Sequence, residues 1–137
     1  MKNTLIDAGP IIALFNNRDR YHGVVLEFLK EYDGILTTSW PVMTEASHML
    51  DFHRQAQIDL LEWARRGGLK VEPLESGDIE RLIKLSEKYA DLPMDLADAS
   101  LVVLSERLKV KQIVSIDSDF YRYRTWDNEM LENILVT

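Results

Sequence analysis

Thr4-Leu5-Ile6-Asp7-Ala8-Gly9-Pro10-Ile11-Ile12-Ala13-Leu14-Phe15 is the stretch that decides the fold. Thr4 to Asp7 is a short apolar run closed by an acid, the pattern of a short buried strand. Gly9-Pro10 ends that strand. Pro10 suits the first turn of a helix running to about Asn16, because a proline's fixed φ and missing N–H are tolerated there. A strand passed at once to a helix opens a β–α unit.

The rest of the chain repeats this alternation. A helix fits Tyr21 to Tyr32, with Val24, Val25, Phe28 and Leu29 on one face, and Gly34 stops it. Ile35 to Thr38 is a β-branched strand. Ser39-Trp40-Pro41 opens a helix to about His53, capped by Ser39 or Trp40. A further helix covers Gln57 to Arg66 and stops at Gly67-Gly68. Leu69 to Glu72 alternates like a strand and ends at Pro73. Ser76 caps a helix to about Ala90. Asp95 to Leu108 is apolar nearly all round, which predicts a central helix. Gln112 to Ile116 is a strand, Asp119 to Tyr123 a short helix or turn, and Asn133 to Val136 a last strand. The order β-α-α-β-α-α-β-α-α-β predicts an α/β fold, a mostly parallel sheet covered by helices on both faces. Ligands of such sheets sit beyond the carboxyl ends of the strands.

The 137 residues predict one domain spanning 1–137. With 46% hydrophobic and 28% charged residues the chain has the composition of a globular protein. Cysteine is absent, which excludes a disulfide scaffold, a thiolate zinc site, an iron–sulfur cluster and a thiol nucleophile. No apolar run approaches the roughly 20 residues that span a bilayer, and Met1-Lys2-Asn3-Thr4 leads straight into a strand, so a cytoplasmic protein is expected. Sixteen Lys and Arg against 23 Asp and Glu give a net charge of −7. Such a chain is a poor general binder of nucleic acid, yet it can act on one if its carboxylates hold a divalent metal.

Nucleotide loops of the G-x-G-x-x-G and G-x-x-x-x-G-K-[ST] types are missing, as is a G-x-S-x-G elbow. Glu45-x-x-His48 has the spacing of half a di-iron carboxylate site, but no second copy follows, so His48 reads as a helix residue. The carboxylates say more. Asp7 and Asp117 each end a strand, at the edge where ligands bind. A single such aspartate would be an ordinary helix cap or turn residue. Glu45 borders the apolar face Val42, Ala46, Met49 and Leu50, where a charge must be paired, solvated or bound to metal. Asp98 lies one turn into the most apolar helix, three residues after Asp95. A helix-dipole role, worth about 0.3–1 kcal/mol, suits Asp95 better than Asp98, which has Ala97, Ala99, Leu101 and Val102 around it. Brought into one cleft, Asp7, Glu45, Asp98 and Asp117 would repel one another unless a cation were present. Hard oxygen donors suit Mg²⁺ or Mn²⁺, and such a cation neutralises charge developing on a phosphoryl group.

These stretches resemble the PIN-domain ribonucleases, and among them the VapC-like toxins of toxin–antitoxin pairs. The matching segments are Leu5 to Phe15, Thr44-Glu45, Asp95-Leu96-Ala97-Asp98-Ala99-Ser100-Leu101 and Ile116-Asp117-Ser118-Asp119-Phe120, with Arg20-Tyr21-His22 similar to the turn that often precedes the family's second helix. They run in order over almost the whole chain. The resemblance implies a three-layer α/β/α sandwich and Mg²⁺- or Mn²⁺-dependent hydrolysis of RNA phosphodiesters, leaving 5′-phosphate and 3′-hydroxyl ends. By motif position Asp7 and Asp98 are implied as direct metal ligands, Glu45 as the third acid and Asp117 as the fourth. Ser115 stands where the family often has Thr or Ser. Asp95 and Asp119 are further acids close by. A homodimer, and an antitoxin that covers the acidic cleft, are the implied partners; the charge of such a cleft adds that its inhibitor should present Arg or Lys there.

Two other readings fit the same motifs: an RNA-processing PIN nuclease without an antitoxin, and a non-catalytic interaction domain. The second would have a broken carboxylate set, and this set is complete. A haloacid-type phosphatase would need Asp-x-Asp where Asp7-Ala8-Gly9 stands. Basic candidates for holding RNA are Arg18, Arg20, Arg122 and Arg124. Tyr121, Tyr123 and Trp126 interleave with the latter two, and unpaired bases could stack on them. Phe28, Trp40, Met43, Phe52 and Trp63 exceed what a small sheet needs and would mark a contact surface if exposed.

Overall fold

The computed structural model describes residues 2–92, 94–116, 120 and 122–135. Strand β1 is Asn3–Ile6 and is followed by helices α1 (Ala8–Phe15) and α2 (His22–Glu31). Then come β2 (Ile35–Ser39), α3 (Trp40–Met49), α4 (Arg54–Arg65) and β3 (Lys70–Glu72). A 3₁₀ turn at Ser76–Asp78 leads into α5 (Ile79–Lys88), then α6 (Leu96–Leu108), β4 (Gln112–Val114) and β5 (Glu132–Asn133).

These strands form one sheet in the order β3-β2-β1-β4-β5, and every pairing is parallel. Thr4 pairs with Leu36 on one side of β1, and Leu5 with Ile113 on the other. The expected α/β architecture is present. Thr37 and Thr38 are fully buried in β2, and their hydroxyls donate to Asn3 Oδ1 at 2.7 Å and to the Ile6 carbonyl at 2.8 Å. Buried hydroxyls are tolerated because each is bonded.

Crossovers from β1 to β2 and from β2 to β3 move one way along the sheet, and the crossover from β3 to β4 moves the other way. Right-handed connections then place α1–α4 on one face and α5–α6 on the other. Helix contacts divide the same way: α1 packs on α2, α3 and α4, and α5 packs on α6. Helix α3 also reaches α6, and this contact joins the two layers at one edge. Helix α6 is buried from Ala97 through Ser105 without a break, as expected of a central helix.

The observed boundaries differ from the expected ones in ways that local bonding explains. Helix α1 starts at Ala8, so Gly9 and Pro10 lie inside its first turn, and Asp7 is its N-cap. Ser39 is the N-cap of α3, its Oγ accepting from Val42 N–H. Helix α3 ends at Met49 instead of continuing to His53, because 50–53 close into short turns, with Asp51 N–H on the His48 carbonyl and His53 N–H on the Leu50 carbonyl. Helix α4 therefore starts at Arg54. The turn before α5 is capped by Glu75 in a capping box with Asp78, so Ser76 lies within it instead of capping it. The last strand is Glu132–Asn133, parallel to β4, rather than Asn133–Val136, whose last residue lies outside the described ones. Gly67 stops α4 with φ near 89°, a conformation that disfavours side chains. At Gly34 a Cβ would sit 2.7 Å from the Lys2 carbonyl, so glycine lets β1 and β2 come together there.

Candidate active site

Helices that link parallel strands run against them, so α1, α3 and α6 present their N-termini at the carboxyl edge of the sheet. Hydrogen bonds at that edge agree. Ser39, the last residue of β2, lies 2.6 Å from Ser100 Oγ early in α6. Asp7, just past β1, donates its N–H to the Val114 carbonyl at the end of β4.

Asp7 is only 5% exposed. Its Oδ1 accepts from Ala8 N–H at 2.8 Å, and its Oδ2 accepts from Ser115 Oγ at 3.3 Å. As the N-cap of α1 it faces the positive end of the helix dipole, which favours negative charge. Ser115 is itself held by Asn133. The Asn133 amide accepts Ser115 N–H at 3.1 Å and donates to the Ser115 carbonyl at 2.8 Å, so the side chain stands in for a strand neighbour just past β4.

Asp98 is the third residue of α6 and 6% exposed. With the N-cap Asp95 it forms a capping box: Asp95 Oδ1 accepts Asp98 N–H at 2.8 Å, and Asp98 Oδ2 accepts Asp95 N–H at 3.4 Å. Tyr123 donates its phenol to the same Oδ2 at 3.3 Å. Glu45 lies half-buried in the second turn of α3, beside Val42, Ala46 and Leu50, which are fully buried. Met49 was expected on that buried face but is exposed; the buried stripe runs Val42, Met43, Ala46, Leu50 instead.

The structure thus brings Asp7 and Asp98 to one sheet edge as buried carboxylates and puts Glu45 on a helix starting from it. Asp117 and Asp119 lie outside the described residues. Among the described residues no three histidine, aspartate or glutamate side chains gather into a group able to hold a metal ion. The donor chemistry at this edge fits a hard divalent cation all the same. It consists of oxygen alone, and Mg²⁺ is commonly held by one or two carboxylates with several retained waters.

Reading the sequence missed Ser39, Ser100, Tyr123 and Asn133 as parts of this edge. Tyr123 does not serve as a base-stacking residue of the surface: it is 2% exposed and its ring packs inside the protein. Tyr121 lies outside the described residues. Arg18, Arg20 and Arg122 are exposed, while Arg124 is half-buried and donates its N–H to Tyr89 Oη at 2.7 Å. Of the large apolar residues marked for a contact surface, Met43 is buried and Phe28 and Trp63 pack against the core. Trp40 and Phe52 are exposed. Among the described residues no helix is long and apolar enough to cross a membrane.

The family model of the PIN domain matches residues 4–125. Ribonuclease VapC26 of Mycobacterium tuberculosis is 24% identical over 115 residues, covering 82% of this chain and 85% of that protein. In fold, the chain is similar to M. tuberculosis VapC20, described as a sarcin-ricin loop cleaving toxin, with a TM-score of 0.78, 16% identity, and coverage of 85% of this chain and 91% of that one. It is also similar to a chain of a toxin–antitoxin complex from Klebsiella pneumoniae, with a TM-score of 0.64, 17% identity, and coverage of 85% and 89%. With the parallel sheet, Asp7 and Asp98 at its carboxyl edge, and the family match over nearly the whole length, the chain belongs to the PIN domain family and is similar to its VapC-like ribonucleases.

Proposed function

We propose that this protein is a Mg²⁺- or Mn²⁺-dependent endoribonuclease, the toxin of a toxin–antitoxin pair, acting as a single nuclease domain in the cytoplasm. The observation that carries the proposal is the pair of buried carboxylates, Asp7 and Asp98, at helix N-termini on one sheet edge. Two buried carboxylates on one edge repel each other, and a shared cation relieves that repulsion. The naming of a relative as a ribonuclease supports RNA as the substrate.

Asp7 and Asp98 would hold the metal, with Glu45 and Asp117 completing the acidic set. When bound, the cation neutralises charge developing at the scissile phosphate and activates water for attack. The chain's own residues do the positioning. Ser115 and Ala8 N–H fix the two oxygens of Asp7, and the capping box fixes the start of α6 behind Asp98. Burial of both carboxylates limits competition from bulk water and strengthens their pull on a cation.

The solved toxin–antitoxin complex of similar fold supports an antitoxin partner. An inhibitor of an acidic edge should present Arg or Lys to it. A groove of about 430 Å³ between α3 and α4, lined by Trp40, Met43, Leu60 and Leu61 together with the polar Ser47, His48, Asp51 and Gln57, suits an amphipathic helix. A homodimer is the expected state of the free protein.

The test is cleavage of single-stranded and structured RNAs by the purified protein, with Mg²⁺, with Mn²⁺ and in EDTA, beside Asp98→Asn. Metal-dependent cutting that Asp98→Asn abolishes is expected; full activity in EDTA or in Asp98→Asn rejects the mechanism. Sedimentation at micromolar concentration checks the dimer. Co-expression with the product of a small adjacent gene checks the antitoxin, and the lack of any such gene favours an RNA-processing nuclease.

A further inference from the structure

We propose that Tyr123 is a positioning residue for Asp98: its phenol sets the orientation in which the Asp98 carboxylate meets a divalent cation. The proposal rests on the reading of Asp98 as a metal-holding group. Tyr123 follows β4 in the chain and is 25 residues from Asp98 in sequence, yet its hydroxyl donates to Asp98 Oδ2 at 3.3 Å in a buried setting. The same oxygen accepts Asp95 N–H. With both donors on one oxygen, rotation of the carboxylate about Cβ–Cγ is restrained, and the direction of Oδ1 is set with it.

The ring that carries this hydroxyl is itself held. It packs edge-on against Phe120, with centroids 5.3 Å apart and an interplanar angle of 82°, and against Tyr89, at 5.2 Å and 67°. Edge-to-face contacts of this kind are favourable beyond the area they bury, which favours this position of the ring. Tyr89 in turn accepts Arg124 N–H at 2.7 Å, which pins the backbone next to Tyr123 to the end of α5. The contacts thus run from Tyr89 at the end of α5, through Arg124 and Tyr123, to one carboxylate oxygen near the start of α6. A phenylalanine would fill the same space without the hydroxyl, so Tyr123→Phe removes the bond to Asp98 and keeps the ring. Groups that orient a metal ligand commonly change metal affinity or activity 10–100-fold when removed.

The experiment compares the wild type with Tyr123→Phe, Tyr89→Phe and Asp98→Asn. Mn²⁺ alone is titrated into the RNA-free protein and followed by electron paramagnetic resonance, thermal unfolding is recorded for each variant, and RNA cleavage is measured across Mn²⁺ concentrations. Tyr123→Phe keeps the ring packing, so its unfolding temperature should stay within a few degrees of wild type while Mn²⁺ binds about tenfold more weakly. At saturating Mn²⁺ its KM for RNA should be unchanged and its kcat lower. Tyr89→Phe disturbs the same loop without touching Asp98 and should lose stability while binding Mn²⁺ as wild type does. The proposal is overturned if Tyr123→Phe binds Mn²⁺ with wild-type affinity, or if Tyr89→Phe weakens binding as much as Tyr123→Phe, since the effect then belongs to loop packing. If Asp98→Asn loses Mn²⁺ and Tyr123→Phe does not, only the positioning role fails. If Asp98→Asn binds Mn²⁺ like the wild type, the reading of Asp98 as a metal-holding group fails and the role of Tyr123 with it.

Discussion

Ser39 Oγ and Ser100 Oγ lie 2.6 Å apart in the buried seam between α3 and α6. The direction of this bond follows from counting protons. A hydroxyl has one proton to give, and Ser100 donates its own to the Ala97 carbonyl at 2.6 Å. Ser39 must therefore donate to Ser100, while its oxygen accepts Val42 N–H as the N-cap of α3. One serine ends β2, starts α3 and fixes α6, which ties the helix bearing Glu45 to the helix bearing Asp98.

Ser39→Ala should therefore cost more than an ordinary lost cap. It removes the cap, worth about 1 kcal/mol, and the buried partner of Ser100, worth about 1 kcal/mol more. Ser100→Ala should cost less, because the cap survives. Urea unfolding of the two single variants and the double variant should give a coupling of about 0.5–1.5 kcal/mol. Strict additivity would mean that the two hydroxyls do not interact in solution.

Asp7→Asn and Asp98→Asn should abolish RNA cleavage and leave the fold intact. Asparagine is as good an N-cap as aspartate, so α1 keeps its start. At position 98 an amide oxygen can still accept Asp95 N–H. Removing a carboxylate also relieves repulsion in the metal-free protein, so the unfolding temperature should be equal to wild type or slightly higher. Circular dichroism melts beside the cleavage assay check both halves of this statement. A large drop in melting temperature would assign these residues to folding rather than to chemistry.

Much of this edge was legible in the sequence, and what was not has a physical reason. Asp7 shows itself because a carboxylate directly after a buried strand falls at the ligand-binding edge of any parallel sheet. Asp98 shows itself because a charge inside an apolar helix calls for a reason. Tyr123 and Asn133 do not, since their roles depend on contacts with Asp98 and Ser115 across turns whose path leaves no periodic trace. Met49 misleads because helical spacing gives a face but not its edge, and α3 turns that residue outward. Met43 and Trp63 read as surplus apolar residues only until the helix layers that cover them are in place.

Arg81 on α5 meets Glu106 on α6 in a two-pronged pair, Nε to Oε1 at 2.9 Å and Nη2 to Oε2 at 2.8 Å. Glu106 is largely buried and also accepts Trp126 N–H, so it fastens the loop after β4 as well as α5. Beside Glu106, the Arg81 guanidinium is held above its ordinary range, chiefly by this hydrogen bond. Arg81→Ala leaves a buried carboxylate short of a partner and should cost about 2 kcal/mol. Arg81→Lys should recover only part of that, because an ammonium cannot match both oxygens at once. Denaturant midpoints rank the three proteins, and equal midpoints for alanine and lysine would count against the two-pronged geometry.

The loop from Thr125 to Glu129 should loosen at both ends of the pH scale, for opposite reasons. Asp127 is held below its ordinary value of 3.8, first by the Thr125 hydroxyl that donates to it and also by the charge of Lys111. A depressed carboxylate contributes stability above its unfolded value, and that contribution is lost as pH falls through the folded one. The acid transition of this loop should therefore lie below pH 3.8. Lys111 is raised from 10.5, first by its bond to Glu129 at 2.6 Å and further by Asp127. Its contribution is full below the unfolded value and lost as pH rises through the folded one, so the alkaline transition should lie above pH 10.5. The groups are solvent-exposed, so salt should weaken the Lys111 part strongly and the Thr125 hydrogen bond little. Carbon-detected NMR of the Asp127 carboxyl, followed from pH 7 to pH 2 at 0.05 M and 1 M NaCl, reads the acid limb directly. Thr125→Val should move the Asp127 midpoint up toward 3.8 at either salt concentration, and Lys111→Met should move it up at low salt only. An Asp127 midpoint that ignores Thr125→Val would give the leading role to Lys111 instead.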